Sequence, residues 1–159
     1  MSPDPIIVAL VDQFDGVEWR VSSGQDVLMV PKGLWRDVAQ AAKDAGFEML
    51  VDETAVDYLG VREVRFEVVA GLLSLEHNLR IRLRAAVPED DTTVASLVPV
   101  YPGANFYERE VYDMFGITFE EHPDLTRILM PDEWQGHPLR KDYAMGSVPV
   151  QFKSSPEAP

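Results

Sequence analysis

Apolar residues recur at two spacings along this chain, and the switches between them mark out its elements. In PDPIIVALVDQF, Ile6, Ile7, Leu10, Val11 and Phe14 fall on one side of a helix, with Asp4 placed to cap its first turn. VEWRVS and DVLMV read as short strands, the second made of residues that suit a buried sheet. PKGLWRDVAQAAKDAG returns to helical spacing, with Leu34, Val38, Ala41, Ala42 and Ala45 on one stripe and Gly46 where a left-handed C-cap belongs. FEMLVDETAVDYLG, VREVRFEVVAGLLSL and NLRIRLRAAV then predict three strands in an antiparallel meander, turning at Gly60 and around His77-Asn78.

In the third of these strands Leu79, Ile81, Leu83 and Ala85 alternate with Arg80, Arg82 and Arg84, so one face is apolar and the other positive. That row reads either as a docking surface or, more ordinarily, as one side of cross-strand pairs with acids such as Glu67. PEDDTTVASLVPVYPG begins as a charged loop, carries a short helical turn and ends in a turn at Pro102-Gly103. A helix follows, with Asn105 as N-cap, Glu108 three residues on in a capping-box-like pattern, and Gly116 at the stop. Phe106, Glu110 and Asp113 share one of its sides, and Arg109 with Asp113 forms an i, i+4 pair. Tyr112 and Phe115 require burial.

Six of the twelve prolines fall in 117–159, and each biases the residue before it away from helix. His122, Met130 and His137 all precede proline. The prediction is an extended strap over 117–143, followed by a plain tail over 144–159. The strap is not low-complexity: Phe119, Leu125, Ile128, Leu129, Met130, Trp134, Leu139 and Tyr143 are side chains that seek cover, at ~1.5–3 kcal/mol for a well-buried aliphatic one. The expected fold is therefore α+β, an antiparallel or mixed sheet packed with helices over 1–116, continued by the strap.

At 159 residues the chain suits one domain plus a tail, and 46% hydrophobic with 26% charged residues is ordinary for a soluble globular protein. A net charge of −13 disfavours independent nucleic-acid binding, which needs surplus Lys and Arg. The longest nearly uninterrupted apolar run, Val68 to Leu75, falls well short of the ~20 residues of a bilayer crossing. MSPDPIIVALVDQF lacks the marks of a secretory signal, so a cytoplasmic chain is expected. The absence of Cys removes disulfides, thiolate ligation of zinc or iron–sulfur clusters, and a Cys nucleophile. G-x-G, Gly-Lys-Ser/Thr, G-x-S-x-G and H-E-x-x-H are all missing.

One set of residues retains the chemistry for a metal or acid/base site: His122, Asp124, His137, Glu108, Glu110 and Asp113. Against it, the two histidines lie fifteen positions apart on proline-broken chain, and a histidine beside proline more often holds such a segment in place by hydrogen bonding. Glu108, Arg109 and Glu110 are wedged among Phe106, Tyr107, Tyr112, Met114 and Phe115, which puts charges at a covered boundary where they need partners. Trp134 with Arg140-Lys141-Asp142-Tyr143 combines an aromatic anchor with charges, the mix of interface hot spots. Closure of the strap on its own sheet and closure on a partner are equally open from these residues.

YEREVYDMFGI followed by HPDLTRILMPDEWQGHPLRKDY resembles the signature of the complex I 30 kDa subunit family, the C subunit of the respiratory NADH:quinone oxidoreductase (NDH-1 type). AVDYLG, RFEVVAGLLSLEHNLRIRLR, VPEDD and YPGANFYERE extend the resemblance to roughly residues 26–143. The matching positions on the helix are Glu108, Arg109, Glu110, Asp113, Phe115 and Gly116. In the first half of the strap they are His122, Pro123, Asp124, Leu125, Arg127, Ile128, Leu129 and Pro131. Trp134, Gly136, His137, Pro138, Leu139, Arg140, Lys141, Asp142 and Tyr143 complete the set. Glu121 stands where many relatives have Gly, and Thr126 where many have a second basic residue.

The resemblance implies a chain of the peripheral arm without a cofactor of its own, FMN, iron–sulfur clusters and quinone belonging to partner subunits. It implies packing against the quinone-site D subunit beside the cluster-bearing B subunit, on the cytoplasmic side of the cell membrane. The strap then acts as a clamp. Glu108, Arg109 and Asp113 fix the helix by charge-assisted hydrogen bonds, Phe115, Leu125, Ile128, Trp134 and Tyr143 are apolar anchors, and Arg127, Arg140, Lys141 and Asp142 set register through ion pairs. The alternatives are the equivalent subunit of a photosynthetic NDH or membrane-bound hydrogenase complex, a free-standing acidic binding module, and a metalloenzyme using His122 and His137.

Overall fold

The Asp4 carboxylate accepts the Ile6 N–H at 2.9 Å and so starts the first helix, α1 (Pro5–Val11), whose buried side carries Ile7 and Leu10. In the computed structural model, which describes residues 2–144 and 146, a hairpin follows: β1 (Glu18–Ser22) and β2 (Gln25–Met29). Its two loop residues, Ser23 and Gly24, both have positive φ, the geometry that matches strand twist in a two-residue turn. A 3₁₀ turn at Lys32–Leu34 leads into α2 (Trp35–Asp44), and Gly46 closes it at φ 96°. The buried side of α2 is Trp35, Val38, Ala39 and Ala42, rotated from the expected stripe so that Leu34, Ala41 and Ala45 are only partly covered. The bulk of Trp35, fully buried, decides which side faces in.

β3 (Met49–Asp57), β4 (Phe66–Ser74) and β5 (Leu79–Val87) form the predicted antiparallel meander. β2 adds to β5 in parallel, which makes the five-stranded sheet mixed, in the order β1-β2-β5-β4-β3. Its inner face buries Leu28, Leu83, Leu72, Val68 and Phe66 in one core with Ile7, Trp35, Val111 and Met114 from the helices. Its other face is exposed at Arg20, Arg80, Arg82 and Thr54.

Two three-residue strands, β6 (Thr93–Ala95) and β7 (Thr118–Glu120), pair in parallel and enclose α3 (Ala104–Phe115) between them. The hydrophobic pattern predicts neither, because three residues show no period; β7 occupies the first residues of the expected strap. α3 also begins two residues earlier than expected, with Gly103 at the N-cap and no side-chain cap. Asn105 lies inside the first turn, and Glu108 does not reach back to it. Glu108 is instead fully buried, accepting from Ser96 Oγ at 2.6 Å and from Leu97 N–H at 2.5 Å. Two buried donors without another acceptor outweigh an exposed cap that water can satisfy. Among the described residues no helix is long and apolar enough to cross a membrane.

Candidate functional site

The signature helix ends by handing its unsatisfied carbonyls to the strap. The last carbonyls of any helix lack partners within it. Here the Asp113 carbonyl accepts from His137 Nδ1 at 3.0 Å, the Met114 carbonyl from Leu139 N–H at 3.0 Å, and the Phe115 carbonyl from Arg140 Nε at 2.6 Å. Burial and the neighbouring guanidinium of Arg140 hold the His137 pKa below its ordinary value, against the pull of the Asp113 carbonyl. Tyr112 meets the same imidazole edge-on, ring centroids 6.1 Å apart.

Asp113 is the hub. Its Oδ2 accepts three consecutive backbone N–H groups, from Ile128, Leu129 and Met130, at 3.0, 2.7 and 2.9 Å, and its Oδ1 takes Arg127 Nη1 at 2.6 Å. Burial alone would raise this carboxyl, but the Met130 N–H, Arg127 and the two other N–H groups hold it below its usual range. The expected partner Arg109 is elsewhere: it donates to the Thr126 and Arg127 carbonyls at 3.1 and 3.0 Å, holding the strap from the other side. Arg127 in turn donates to the Trp134 and Gly136 carbonyls, drawing Pro131, Trp134 and Gly136 into a tight loop. Trp134 is half-buried, and its indole N–H meets no acceptor among the described residues.

The far end of the strap is tied to the sheet. Lys141 N–H donates to Asp57 Oδ2 at 2.8 Å, and the Asp142 carboxylate receives both Arg65 Nη atoms at 2.7 and 3.1 Å. Arg65, buried, also holds Asp57 and Glu89, so one guanidinium joins β3, β4, the loop after β5 and the strap. Burial opposes ionisation of Asp57, yet Arg65 and the N–H groups of Lys141 and Leu59 bring it down to about 2. Of the four residues expected to set register by ion pairs, Arg127 and Asp142 do so within the chain. Lys141 acts through its backbone, and Arg140 through a carbonyl while stacking over Phe66 at 5.3 Å. Phe115 packs in the chain's own core, and Leu125 and Met130 lean on it.

Gly116, at φ 74°, sits under this clasp: a Cβ there would lie 2.6 Å from His137 Cδ2 and 2.8 Å from Arg140 Nη2. Gly116→Ala is expected to lower stability by about 2 kcal/mol or more, from the left-handed backbone and the collision together. It should also open Arg127 and Arg140 to trypsin, which a digestion time course measures; unchanged cleavage would refute the placement.

Glu108 belongs to a second, drier cluster. Glu53, on β3, is buried with both carboxylate oxygens unpartnered among the described residues, and burial followed by the nearby Glu108 pushes its pKa well up. Burial likewise raises Glu108, to about 7, although Ser96, the Leu97 N–H and Arg36 oppose the rise. His122 Nε2 stands 3.9 Å from Glu108 Oε2 and 3.1 Å from the Asn105 carbonyl, while its Nδ1 accepts the Asp124 N–H at 3.0 Å. Those two contacts fix the Nε2-protonated ring. The adjoining Glu121 has φ 64° and pairs with Arg36, which accounts for a residue other than Gly at that turn.

The residues weighed as a metal site thus divide between two places, His122 beside Glu108 and His137 beside Asp113, with the exposed side chains of Glu110 and Asp124 outside both. Among the described residues no three His, Cys, Asp or Glu side chains are grouped to hold a metal ion. On the outer surface of the strap Leu129 is 62% exposed, Leu139 54% and Ile128 38%, among exposed polar residues that include Asp124, Asp132 and Glu133, and Phe106 on α3 is 63% exposed. Pro138 and Tyr143 are half-buried, the Tyr143 ring lying against Gly136.

Residues 28–148 match the family described as "Respiratory-chain NADH dehydrogenase, 30 Kd subunit". The chain belongs to that family. Among similar relatives, the C subunit of the NADH-quinone oxidoreductase of Nocardioides sp. is 50% identical over 77% of this chain and 50% of the relative. The equivalent subunit of Salinispora tropica is 44% identical over 85% of this chain and 56% of the relative. That of Roseiflexus sp. is 50% identical over 73% of this chain and 68% of its own length. The chain spans about half the length of the first two. A solved structure described as a trypsin-resistant fragment of Nqo5 superposes with a TM-score of 0.68 at 33% identity, over 76% of this chain and 96% of the fragment. A chain of an archaeal membrane-bound sulfane sulfur reductase shares the fold, with a TM-score of 0.78 at 24% identity over 94% of each.

Proposed function

We propose that this family member is a non-redox structural subunit in the peripheral arm of an NADH:quinone oxidoreductase, on the cytoplasmic side of the membrane. Its helix and strap hold the quinone-site D subunit beside the cluster-bearing B subunit, and FMN, iron–sulfur clusters and quinone belong to the partners. One observation carries the reading. Arg127, His137, Arg140 and Asp142 of the strap are tied inside the chain, to Asp113, the end of α3 and Arg65, while Ile128, Leu129 and Leu139 stay exposed. A rigid backing with an exposed apolar edge is what a hot-spot cluster requires, since ordering costs are met before the partner arrives. The family and the relatives named as C subunits support the identity of the assembly.

The test is Leu129→Asp with Leu139→Asp in cells that make the whole complex. Both positions are exposed, so the isolated chain should keep its stability within about 0.5 kcal/mol. Co-purification of the D and B subunits should fall at least tenfold, as a desolvated charge demands. Undiminished recovery would remove the strap from the interface. Closure of the strap on its own domain also favours a second reading, a free-standing acidic module, and that reading requires the unsubstituted chain to purify alone from its native membranes.

A further inference from the structure

We propose that the open face of the five-stranded sheet, centred on Arg80 and Arg82, is a second docking surface, and that it takes an extended acidic segment of a neighbouring subunit. The register places Arg82 between Val27 on β2 and Gly71 on β4, with Arg84 beside Met29 and Val69, all on the face turned away from the core. On that face Arg84 and Arg62 both meet the buried Glu67, and Arg20 meets Glu18. Among the described residues Arg80 and Arg82 meet no carboxylate, although the chain carries 27 acidic residues against 14 basic ones. Two neighbouring guanidinium groups are thus left for a partner, in a protein whose surplus charge has the opposite sign.

The shape narrows the occupant. Clefts cross the strands here, one bordered by Gln25, Asp52, Arg80 and Arg82, the next by Val27, Asp52, Thr54, Glu67, Arg82 and Arg84, where Glu67 is already engaged by Arg84 and Arg62. Gly71 has no side chain, and the Asp52 carboxylate occupies the space where its Cβ would project. Residues two apart on a strand point the same way, roughly 6–7 Å apart, so Arg80 and Arg82 match carboxylates two apart on another extended chain. Val27 and Val69 lie under the methylene stems of such a ligand. Polyanions fit less well. Nucleic acid or an anionic lipid surface would extend past the two arginines onto the surrounding surface of a chain with net charge −13, whereas a short acidic segment presents its charge only at the two arginines.

This inference rests on the chain working inside an assembly, as proposed above, but uses the side of the sheet that the strap does not touch. The experiment is Arg80→Lys with Arg82→Lys, which keeps both charges and supplies amines, in the purified complex treated with a zero-length carbodiimide. Peptide mass spectrometry should find amide links from positions 80 and 82 to Asp or Glu of one neighbouring subunit. In a parallel preparation, Arg80→Glu with Arg82→Glu should leave the isolated chain's folding unchanged and weaken retention of that same neighbour at least tenfold in a salt wash. Links only to Asp52 or Glu67 of this chain, links to carboxylate-bearing phospholipid, or no links would overturn the docking surface while leaving the strap reading intact. Failure of the unsubstituted chain to purify with any other subunit would overturn both.

Discussion

Asp113→Asn should cost this protein about 3–5 kcal/mol and release its strap, the loss expected when one partner of a buried charged pair is removed. The two oxygens of Asp113 serve four donors, three N–H groups on Oδ2 and Arg127 on Oδ1. Asparagine keeps one oxygen and turns an NH₂ toward the other donors, so either three amides or one guanidinium is left unsatisfied. At ~2–4 °C per kcal/mol for a chain of this size, the unfolding midpoint should drop by roughly 10 °C. Trypsin should cut after Arg127 well below that temperature. Since Asp113 is held below its usual pKa, the stability it contributes is present above the ordinary carboxyl value of 3.8 and is lost as pH falls through the folded value. The midpoints of wild type and Asp113→Asn should therefore converge in acid; a gap of constant size would refute the role of the charge.

Glu53→Met should do the opposite and raise the midpoint. The side chain is buried, neither oxygen finds a donor among the described residues, and a methionine of similar length removes that cost without leaving a hole. The gain should be about 1–3 kcal/mol and should grow with pH. Glu53 and Glu108 are both raised, so the stability they allow is complete below the ordinary value of 4.5 and is lost as pH rises through their folded values, about 7 for Glu108. Melting curves at about pH 5 and pH 8, on either side of that value, check this, because an equal gain at both would mean that Glu53 stays uncharged throughout or finds a donor on ionising.

Why Glu53 escapes a reading of the sequence is itself physical. In MLVDETAVD, alternation from Leu50 would turn Asp52, Thr54 and Val56 inward and leave Glu53 in water. The pairing shifts between Leu50 and Asp52, and the extra residue, Val51, reverses the faces, so that Glu53, Ala55 and Asp57 point to the core. A bulge leaves no mark in a hydrophobic pattern. By contrast, α1, the meander and the Gly116 stop were legible, since each depends on local spacing or on one backbone preference. The parallel seam of β2 on β5 and the β6–β7 pair depend on what packs across the fold, and nothing local announces them. At the site, the signature residues were legible through resemblance and their pairings were not. Arg109 lies one turn from Asp113, yet Arg127, fourteen residues on, takes the carboxylate because the strap's amides bring it there.

Arg65 carries a consequence for the order in which this molecule is completed. It links Asp142 across 77 residues, and Lys141 reaches Asp57 across 84. Contacts so distant in the chain form only after the intervening loops have closed, an entropic cost met by the sheet and α3 beforehand. The far end of the strap, at Lys141 and Asp142, is therefore fastened only once the sheet is in place. A chain that has misfolded, or is still emerging, has no fastened strap to offer, so in the assembly proposed above attachment would double as an inspection of the fold beneath it.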